Sequence, residues 1–128
     1  MHRNTYIAAP LLLSSSLQYK SRLDLFFAGQ ITGIEGYVGN IFTGLVAGLN
    51  LCRHLSGKDM ITFPRGTIIG SLLHYIANAS LRDFQPMKAN FGILPPVDEK
   101  NKKIRGIRYA QRSMQLISDL IINHELNT

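Results

Sequence analysis

Three glycines and a glutamine gather at residues 29–37, where a short apolar run gives way to a long apolar-periodic segment. Gly29, Gly33 and Gly36 allow tight turns and close approach of a ligand to the backbone, because glycine has no Cβ. A helix that begins after Gly36 would point its first unpaired N–H groups and the positive end of its dipole toward this turn. The spacing therefore predicts a site for a polar or anionic part of a cofactor. A purely structural strand-to-helix turn is the alternative.

Basic residues form a second cluster, at residues 100–112, opposed only by Asp98 and Glu99. Such a run is usually a solvated helix face, but it is also the pattern of a track for nucleic-acid phosphates. The net charge of +6 agrees with either interpretation. The candidate RNA-contacting residues are Lys100, Lys102, Lys103, Arg105 and Arg108, with Arg112 beyond them.

The chain has one cysteine and four histidines. A single cysteine excludes an internal disulfide framework and a cysteine-based zinc cluster, which suits a reducing compartment. Cys52 lies in an apolar-periodic segment, which predicts a small buried side chain rather than a nucleophile. The histidines show no spacing typical of a metal site, and we predict no metal.

The segments that position these residues are predicted from hydrophobic periodicity. The 128 residues are enough for one domain or part of one, and 45% hydrophobic with 17% charged residues is typical of a soluble globular protein. We divide the chain into residues 1–24, extended or loop; 25–57, a buried strand, a turn and a helix; 58–97, a helix and an ordered irregular segment; and 98–128, a basic C-terminal helix. This order predicts an α/β fold.

The central unit combines a strand and a long helix. Four apolar residues in a row at 25–28 are long enough for a strand covered on both faces. The helix is expected from Gly36 to about Leu55, and Gly44 and Gly48 form a stripe on it that suggests close packing of another backbone or a flat ligand. Its apolar face, which predicts a buried helix, consists of Val38, Ile41, Phe42, Leu45, Val46, Leu49 and Cys52.

Two further helices are indicated by capping residues. Thr67 is a suitable N-cap for a helix that runs to about Asn78. The last helix is expected to start at Asp98 or Asn101 and to reach about His124. Its inward residues are predicted to be Ile104, Ile107, Met114, Ile117 and Ile121.

Neither of two apolar stretches predicts a membrane segment. Residues 7–16 imitate a short signal peptide, but Pro10 interrupts the run. Residues 37–55 contain polar and basic side chains and fall short of the ~20 apolar residues that a span requires. We therefore expect a cytoplasmic chain without a membrane partner.

Residues 26–37 (FFAGQITGIEGY) and 44–50 (GLVAGLN) closely resemble one flavoprotein family, the folate- and FAD-dependent tRNA (uracil-5-)-methyltransferases (TrmFO), and more distantly the related MnmG proteins. Residues 1–6 (MHRNTY), 72–76 (LLHYI) and 84–96 (FQPMKANFGILPP) favour the first. The resemblance is to the C-terminal segment of those enzymes only. It implies the C-terminal part of a Rossmann-like FAD-binding domain whose first βαβ unit is missing.

The resemblance also implies which residues contact the flavin. Gln30 stands where many flavoproteins carry an aspartate that hydrogen-bonds the ribityl chain, and its amide can both donate and accept. Tyr37 is expected against the isoalloxazine or bonded to it, and a half-buried structural tyrosine is the alternative. No catalytic residue is assigned, since the catalytic cysteines of the family lie in segments not present here. The implied cofactor-binding set is Gly29, Gln30, Thr32, Gly33, Gly36 and Tyr37.

The implied full enzyme transfers a methylene carbon from methylenetetrahydrofolate to C5 of a T-loop uridine in tRNA and reduces it with flavin electrons from NADH or NADPH. We therefore expect tRNA and a missing N-terminal half of the flavoprotein as partners. An MnmG-like or ribosomal-RNA-directed enzyme and a noncatalytic remnant that binds RNA or a partner subunit are the alternatives. Because no G-x-G-x-x-G fingerprint occurs, we expect the isolated chain to bind little or no flavin. Whether the chain alone is active stays open.

One departure from the family pattern falls beside the predicted site. Gly39 and Asn40 stand where the family usually carries Glu and Ser. The change removes an acidic side chain from a helix N-terminus and adds a flexible glycine, so we expect a weaker helix start and a weaker flavin contact.

Overall fold

A computed structural model describes residues 5–124, so that residues 1–4, the start of the MHRNTY motif, and residues 125–128 lie outside the described range. A two-stranded parallel sheet pairs β1 with β2, with Ile34 opposite Met87. This arrangement confirms the α/β class in its coarse form. The elements are α1 (Ala9–Leu12), β1 (Ile34–Glu35), α2 (Tyr37–Leu55), α3 (Ile68–Asn78), β2 (Met87–Lys88) and α4 (Lys102–His124), with 3-10 turns at Gln30–Thr32 and Phe91–Ile93.

The buried strand predicted at residues 25–28 is wrong. Phe26 forms a single antiparallel bridge with Gln18, and Ala28 is exposed. No strand among the described residues pairs in parallel with residues 25–28. This apolar segment is long enough for a strand but forms only the one bridge. The strand that enters the parallel sheet lies further along, at Ile34–Glu35, directly before α2.

The prediction of extended chain or loop throughout residues 1–24 is also wrong in part, because α1 forms at Ala9–Leu12. Pro10 lies in its first turn, where backbone N–H groups have no carbonyl partner within the helix. The N–H that proline lacks is therefore not missed there, and its fixed φ already suits a helix. Pro10 thus lies at the start of a helix within the segment predicted to be extended chain or loop.

The buried face of α2 is not the apolar face. The most apolar stripe is largely in solvent, with Val38 62%, Ile41 71% and Leu45 58% exposed. This contradicts the prediction that the face carrying these side chains is covered. The residues that α2 does bury are small or polar ones at helical spacing, together with one valine: Gly39, Thr43, Val46, Ala47 and Asn50.

The core lies where α1, α3 and the buried side of α2 meet. Leu13, Leu17 and Ile34 are fully buried, and α3 contributes Leu72, Leu73 and Ile76, each no more than 1% exposed. Gly39 is buried against this cluster, and a Cβ built on it would lie 2.6 Å from Ile34 Cγ2. The glycine therefore permits the close contact between β1 and the first turn of α2.

Both predicted helix caps are confirmed. Thr67 Oγ1 accepts a hydrogen bond of 3.0 Å from the Gly70 amide, and α3 ends at Asn78. Asn101 Oδ1 accepts from the amides of Lys103 and Ile104, and α4 follows it.

The predicted inward face of α4 is only partly right. Ile104, Ile107 and Met114 are 43%, 51% and 75% exposed, whereas Tyr109 and Leu120 are buried. Much of the apolar surface of α4 therefore has no cover within the described residues. No helix among residues 5–124 has the length and apolarity needed to cross a membrane.

Candidate functional site

The turn before α2 has the backbone shape that its glycines suggest. Gly29, Gly33 and Gly36 have φ values of +83°, +95° and +89°, which side-chain-bearing residues rarely adopt. The Gly29 amide donates to Thr43 Oγ1 at 2.7 Å, and Thr43 Oγ1 in turn donates to the Asn40 carbonyl at 2.8 Å. The turn is thus fixed to the inner face of α2 by one buried hydroxyl.

Thr32 and Gly33 lie on the inner side of this turn. Thr32 is fully buried, and its hydroxyl donates to the Gly29 carbonyl at 2.7 Å. A Cβ on Gly33 would lie 2.6 Å from Phe84 Cζ, so only a glycine admits that ring. The Gly33 carbonyl accepts from the Met87 amide at 2.8 Å. These two residues therefore shape the turn and connect it to the segment at 84–96.

Gln30, Gly36 and Tyr37 lie on the outer side. All three are exposed, and Tyr37 is 91% exposed, which excludes a half-buried structural tyrosine within the described chain. The Gln30 side chain makes no hydrogen bond to a described residue. A Cβ on Gly29 or on Gly36 would meet no heavy atom within 4 Å, so the backbone here is open to a ligand.

The first turn of α2 adds an electropositive end. No described residue accepts a hydrogen bond from the amides of Tyr37, Val38 or Gly39, and the 19-residue helix has no acidic residue in its first turn. Asn40 Oδ1 is buried with no partner among the described residues. Unpaired donors, a helix dipole and one orphaned acceptor fit a ligand with an anionic part and hydroxyl groups.

Sequence reasoning missed Thr43 and Phe84, which hold the turn from behind. Thr43 had a detectable signal, since it falls at helical spacing with Gly39, Val46 and Asn50. That stripe of small and polar residues turned out to be the buried one. Phe84 had no such signal, because it comes from a distant irregular segment and reaches Gly33 only in the folded chain.

The predicted basic residues lie at the start of α4 but differ in their surroundings. Lys100, Lys102 and Lys103 are exposed, Arg105 is half-buried, and no acidic partner is recorded for any of them in residues 5–124. Arg108 pairs with Glu99 at 3.5 Å. These side chains form a cationic surface with little acidic compensation.

Arg112 points inward from the same helix. It donates to the Pro95 carbonyl at 2.8 Å and to the Gly66 carbonyl at 3.4 Å. It therefore joins α4 to the loop before α3 and to the end of the irregular segment, and it does not extend the exposed basic surface.

Cys52 is exposed, so its prediction as a small buried side chain is wrong. Among the described residues, no three His, Cys, Asp or Glu side chains come close enough together to hold a metal ion.

The groups with a shifted pKa are removed in sequence from the turn at residues 29–37. Burial, and then the charge of Arg65, lowers the pKa of His74. The hydrogen bond from Arg22 lowers the pKa of Asp24 and raises that of Arg22, and both side chains are on the surface. None of these three groups belongs to the turn.

Comparison with known proteins supports the resemblance seen in the motifs. The family model of glucose inhibited division protein A (GIDA) matches residues 1–59. A protein of Anoxybacillus flavithermus named methylenetetrahydrofolate–tRNA-(uracil-5-)-methyltransferase TrmFO is 51% identical over 123 residues. Proteins of the same name from Bacillus velezensis and Bacillus subtilis are 52% and 50% identical over 122 residues. Each of these matches covers 94% of this chain and 28% of the relative. The chain is thus similar over nearly its whole length to proteins named TrmFO, and it spans a little over a quarter of their length.

Proposed function

We propose that this chain supplies one wall of the flavin site of a folate-dependent tRNA (uracil-5-)-methyltransferase. The observation that carries the proposal is the open turn at residues 29–37, which presents unpaired helix amides and two uncovered glycines. The similarity to the TrmFO proteins includes these residues. In this proposal the chain is the C-terminal part of a Rossmann-like FAD-binding domain.

The roles of the residues follow from their positions. The amides of Tyr37, Val38 and Gly39 and the dipole of α2 would hold an anionic part of FAD, while Gln30 would hydrogen-bond its polar chain. Tyr37 offers an exposed aromatic face to the ring system. Thr32 and Gly33 act from behind by fixing the turn. When bound, the flavin would supply electrons, drawn from NADH or NADPH, for reducing the carbon taken from methylenetetrahydrofolate.

The rest of the enzyme is the proposed partner of the exposed apolar surface. A groove of about 610 Å³ runs between α2, α3 and α4, with Val38, Phe42 and Leu45 on one side and Ile117 and Ile121 on another. The relatives extend well beyond the matched region, since the match covers only 28% of their length. Burying this apolar face against that remainder would stabilise the assembly by about 25 cal/mol for each Å² removed from water.

The flavin role is tested by co-expressing the chain with the N-terminal part of a TrmFO relative and measuring bound flavin and 5-methyluridine formation. We expect flavin in the complex and little in the chain alone. Gln30→Ala should lower flavin content, because it removes the exposed amide at the turn. The matched control is Gln111→Ala, which removes another exposed glutamine, from α4.

Equal flavin content in the two glutamine variants would contradict the role of Gln30. A complex that does not bind flavin and does not methylate uridine, yet still binds RNA, would instead favour a noncatalytic RNA-binding chain.

The basic start of α4 is proposed to contact tRNA phosphates. Lys102→Glu with Lys103→Glu should weaken RNA binding and flatten its salt dependence, because a protein that contacts fewer phosphates releases fewer counterions on binding. Lys58→Glu with Arg82→Glu makes the same charge change at exposed positions elsewhere and should weaken binding less. Identical RNA affinities and salt slopes for the two double variants would contradict the proposal that the start of α4 contacts phosphates.

A further inference from the structure

A small pocket at the start of α4 combines one aromatic wall with one cationic wall. Its volume is about 330 Å³. It is separate in sequence from the turn at residues 29–37, and the flavin proposal makes no use of it. The lining residues are Phe91, Gly92, Lys102, Arg105, Gly106 and Tyr109.

The aromatic wall is held in place from behind. Phe91 stacks on Tyr109 with ring centroids 5.5 Å apart and planes 22° from parallel. Tyr109 is 9% exposed, and the Arg112 guanidinium lies 5.2 Å from the centroid of its ring. Arg112 is itself fixed by the Pro95 carbonyl at 2.8 Å. Phe91 is nevertheless 60% exposed, so an ordered stack presents part of an aromatic ring to solvent.

The cationic wall is not neutralised. Lys102 and Arg105 have no recorded ion pair within the described residues, and the neighbouring Glu99 is occupied by Arg108 and by the Asn101 amide. A Cβ on Gly106 would meet no atom within 4 Å, so the helix surface between these cations and the ring is open. The pocket therefore offers a flat π-surface next to positive charge.

We propose that this pocket takes one unpaired nucleobase of an RNA, stacked on Phe91, with the adjoining phosphates on Lys102 and Arg105. Stacking on an aromatic ring requires a base whose face is free, so a loop or single strand fits and a continuous duplex does not. An acidic peptide would use the cations but would leave the aromatic wall without a planar partner. The inference rests on the proposed action on RNA and adds the residue that selects unpaired nucleotides.

The first test uses the absence of tryptophan from the chain. Phe91→Trp places the only tryptophan of the chain in the stack, and a hairpin RNA with an unpaired loop should quench the tryptophan emission. The same stem closed into a continuous duplex should quench it much less. Leu23→Trp is the matched control, because Leu23 is 57% exposed and lies in a different segment. Equal quenching of the two tryptophans, or quenching of Phe91→Trp by an acidic peptide alone, would overturn the proposal.

The second test measures affinity of the full chain for the hairpin. Phe91→Ala should weaken binding about tenfold, in the range expected for one lost base stack. Phe91→Tyr should retain it, and the duplex should bind all three proteins alike. Melting curves show whether Phe91→Ala is folded, and the tryptophan measurement decides the matter if it is not. Unchanged affinity in a folded Phe91→Ala protein refutes the stacking site. Flavin content of the co-expressed complex tests the proposed flavin role separately, and Lys100→Glu with Lys103→Glu, which leaves the pocket lining intact, tests the basic track separately.

Discussion

Replacing Asn50 with alanine removes three buried hydrogen bonds in one step. Asn50 is fully buried in α2, and its Nδ2 donates to the Ser16 carbonyl at 3.1 Å and to the Ile61 carbonyl at 3.0 Å. Its Oδ1 accepts from the Ile61 amide at 2.7 Å. Ser16 and Ile61 are 3% and 0% exposed, so water cannot readily replace the lost partners.

The expected cost follows from the groups left without partners. Each buried donor or acceptor that loses its bond costs about 1–3 kcal/mol, and taking the lower value for each gives about 3 kcal/mol. With a urea m-value of about 1.5 kcal/mol/M, the unfolding midpoint should fall by about 2 M. A urea titration followed by circular dichroism measures both the midpoint and the slope.

Two companion variants isolate the cause. Asn78→Ala removes an exposed asparagine that donates to the His74 carbonyl, and it should change stability by less than about 0.5 kcal/mol. Asn50→Asp keeps the acceptor for the Ile61 amide but replaces the donor Nδ2 with a carboxylate oxygen, which would repel the carbonyl oxygens of Ser16 and Ile61. Its deficit should shrink on acidification, since protonation restores a donor. A midpoint for Asn50→Ala within about 0.5 M of the wild type, with an unchanged slope, would refute the reasoning.

Three further predictions concern glycines and one histidine. Gly33→Ala should destabilise the chain by about 1–3 kcal/mol in a urea titration, because of its positive φ and the Phe84 ring; a stabilised variant would contradict the turn. Gly44→Ala, with open space at its Cβ, should raise the stability of the isolated chain by about 0.5–1 kcal/mol and weaken assembly with the N-terminal part; unchanged assembly would show that this stripe stays uncovered. His74 has a pKa lowered by burial, so the unfolded state binds more protons and stability should fall as pH drops below the unfolded value of about 6.5. Thermal melts should show a flatter pH dependence for His74→Gln than for the wild-type chain; an unchanged pH dependence would contradict the role of this histidine.

The prediction from sequence succeeded where a feature depends on neighbouring residues. Thr67 and Asn101 cap their helices because a side chain at the cap reaches amides two or three positions ahead. The glycines at 29, 33 and 36 adopt positive φ, the first two at the ends of the 3-10 turn and the third between β1 and α2. The limits of α2 and α3 were within a residue of those predicted, since apolar periodicity and caps both mark them.

The shape of the turn at residues 29–37 was predictable from the sequence, but the direction in which its residues face was not. Of the predicted residues, Gln30, Gly36 and Tyr37 face outward, whereas Thr32 and Gly33 face the chain interior. Which side of a turn points inward depends on Thr43 and Phe84, which lie far along the chain. No pattern within the turn carries that information.

The sequence by itself indicated the similarity to the TrmFO proteins and determined the local structure, through motifs, caps and glycines that act over a few residues. Only the tertiary structure decided that residues 25–28 find one bridge, that Cys52 is exposed and that α2 buries its polar stripe. Periodicity identifies an apolar face but not the surface that covers it. The matched region is 28% of the length of its relatives, and we infer that the cover of α2 belongs to the remainder.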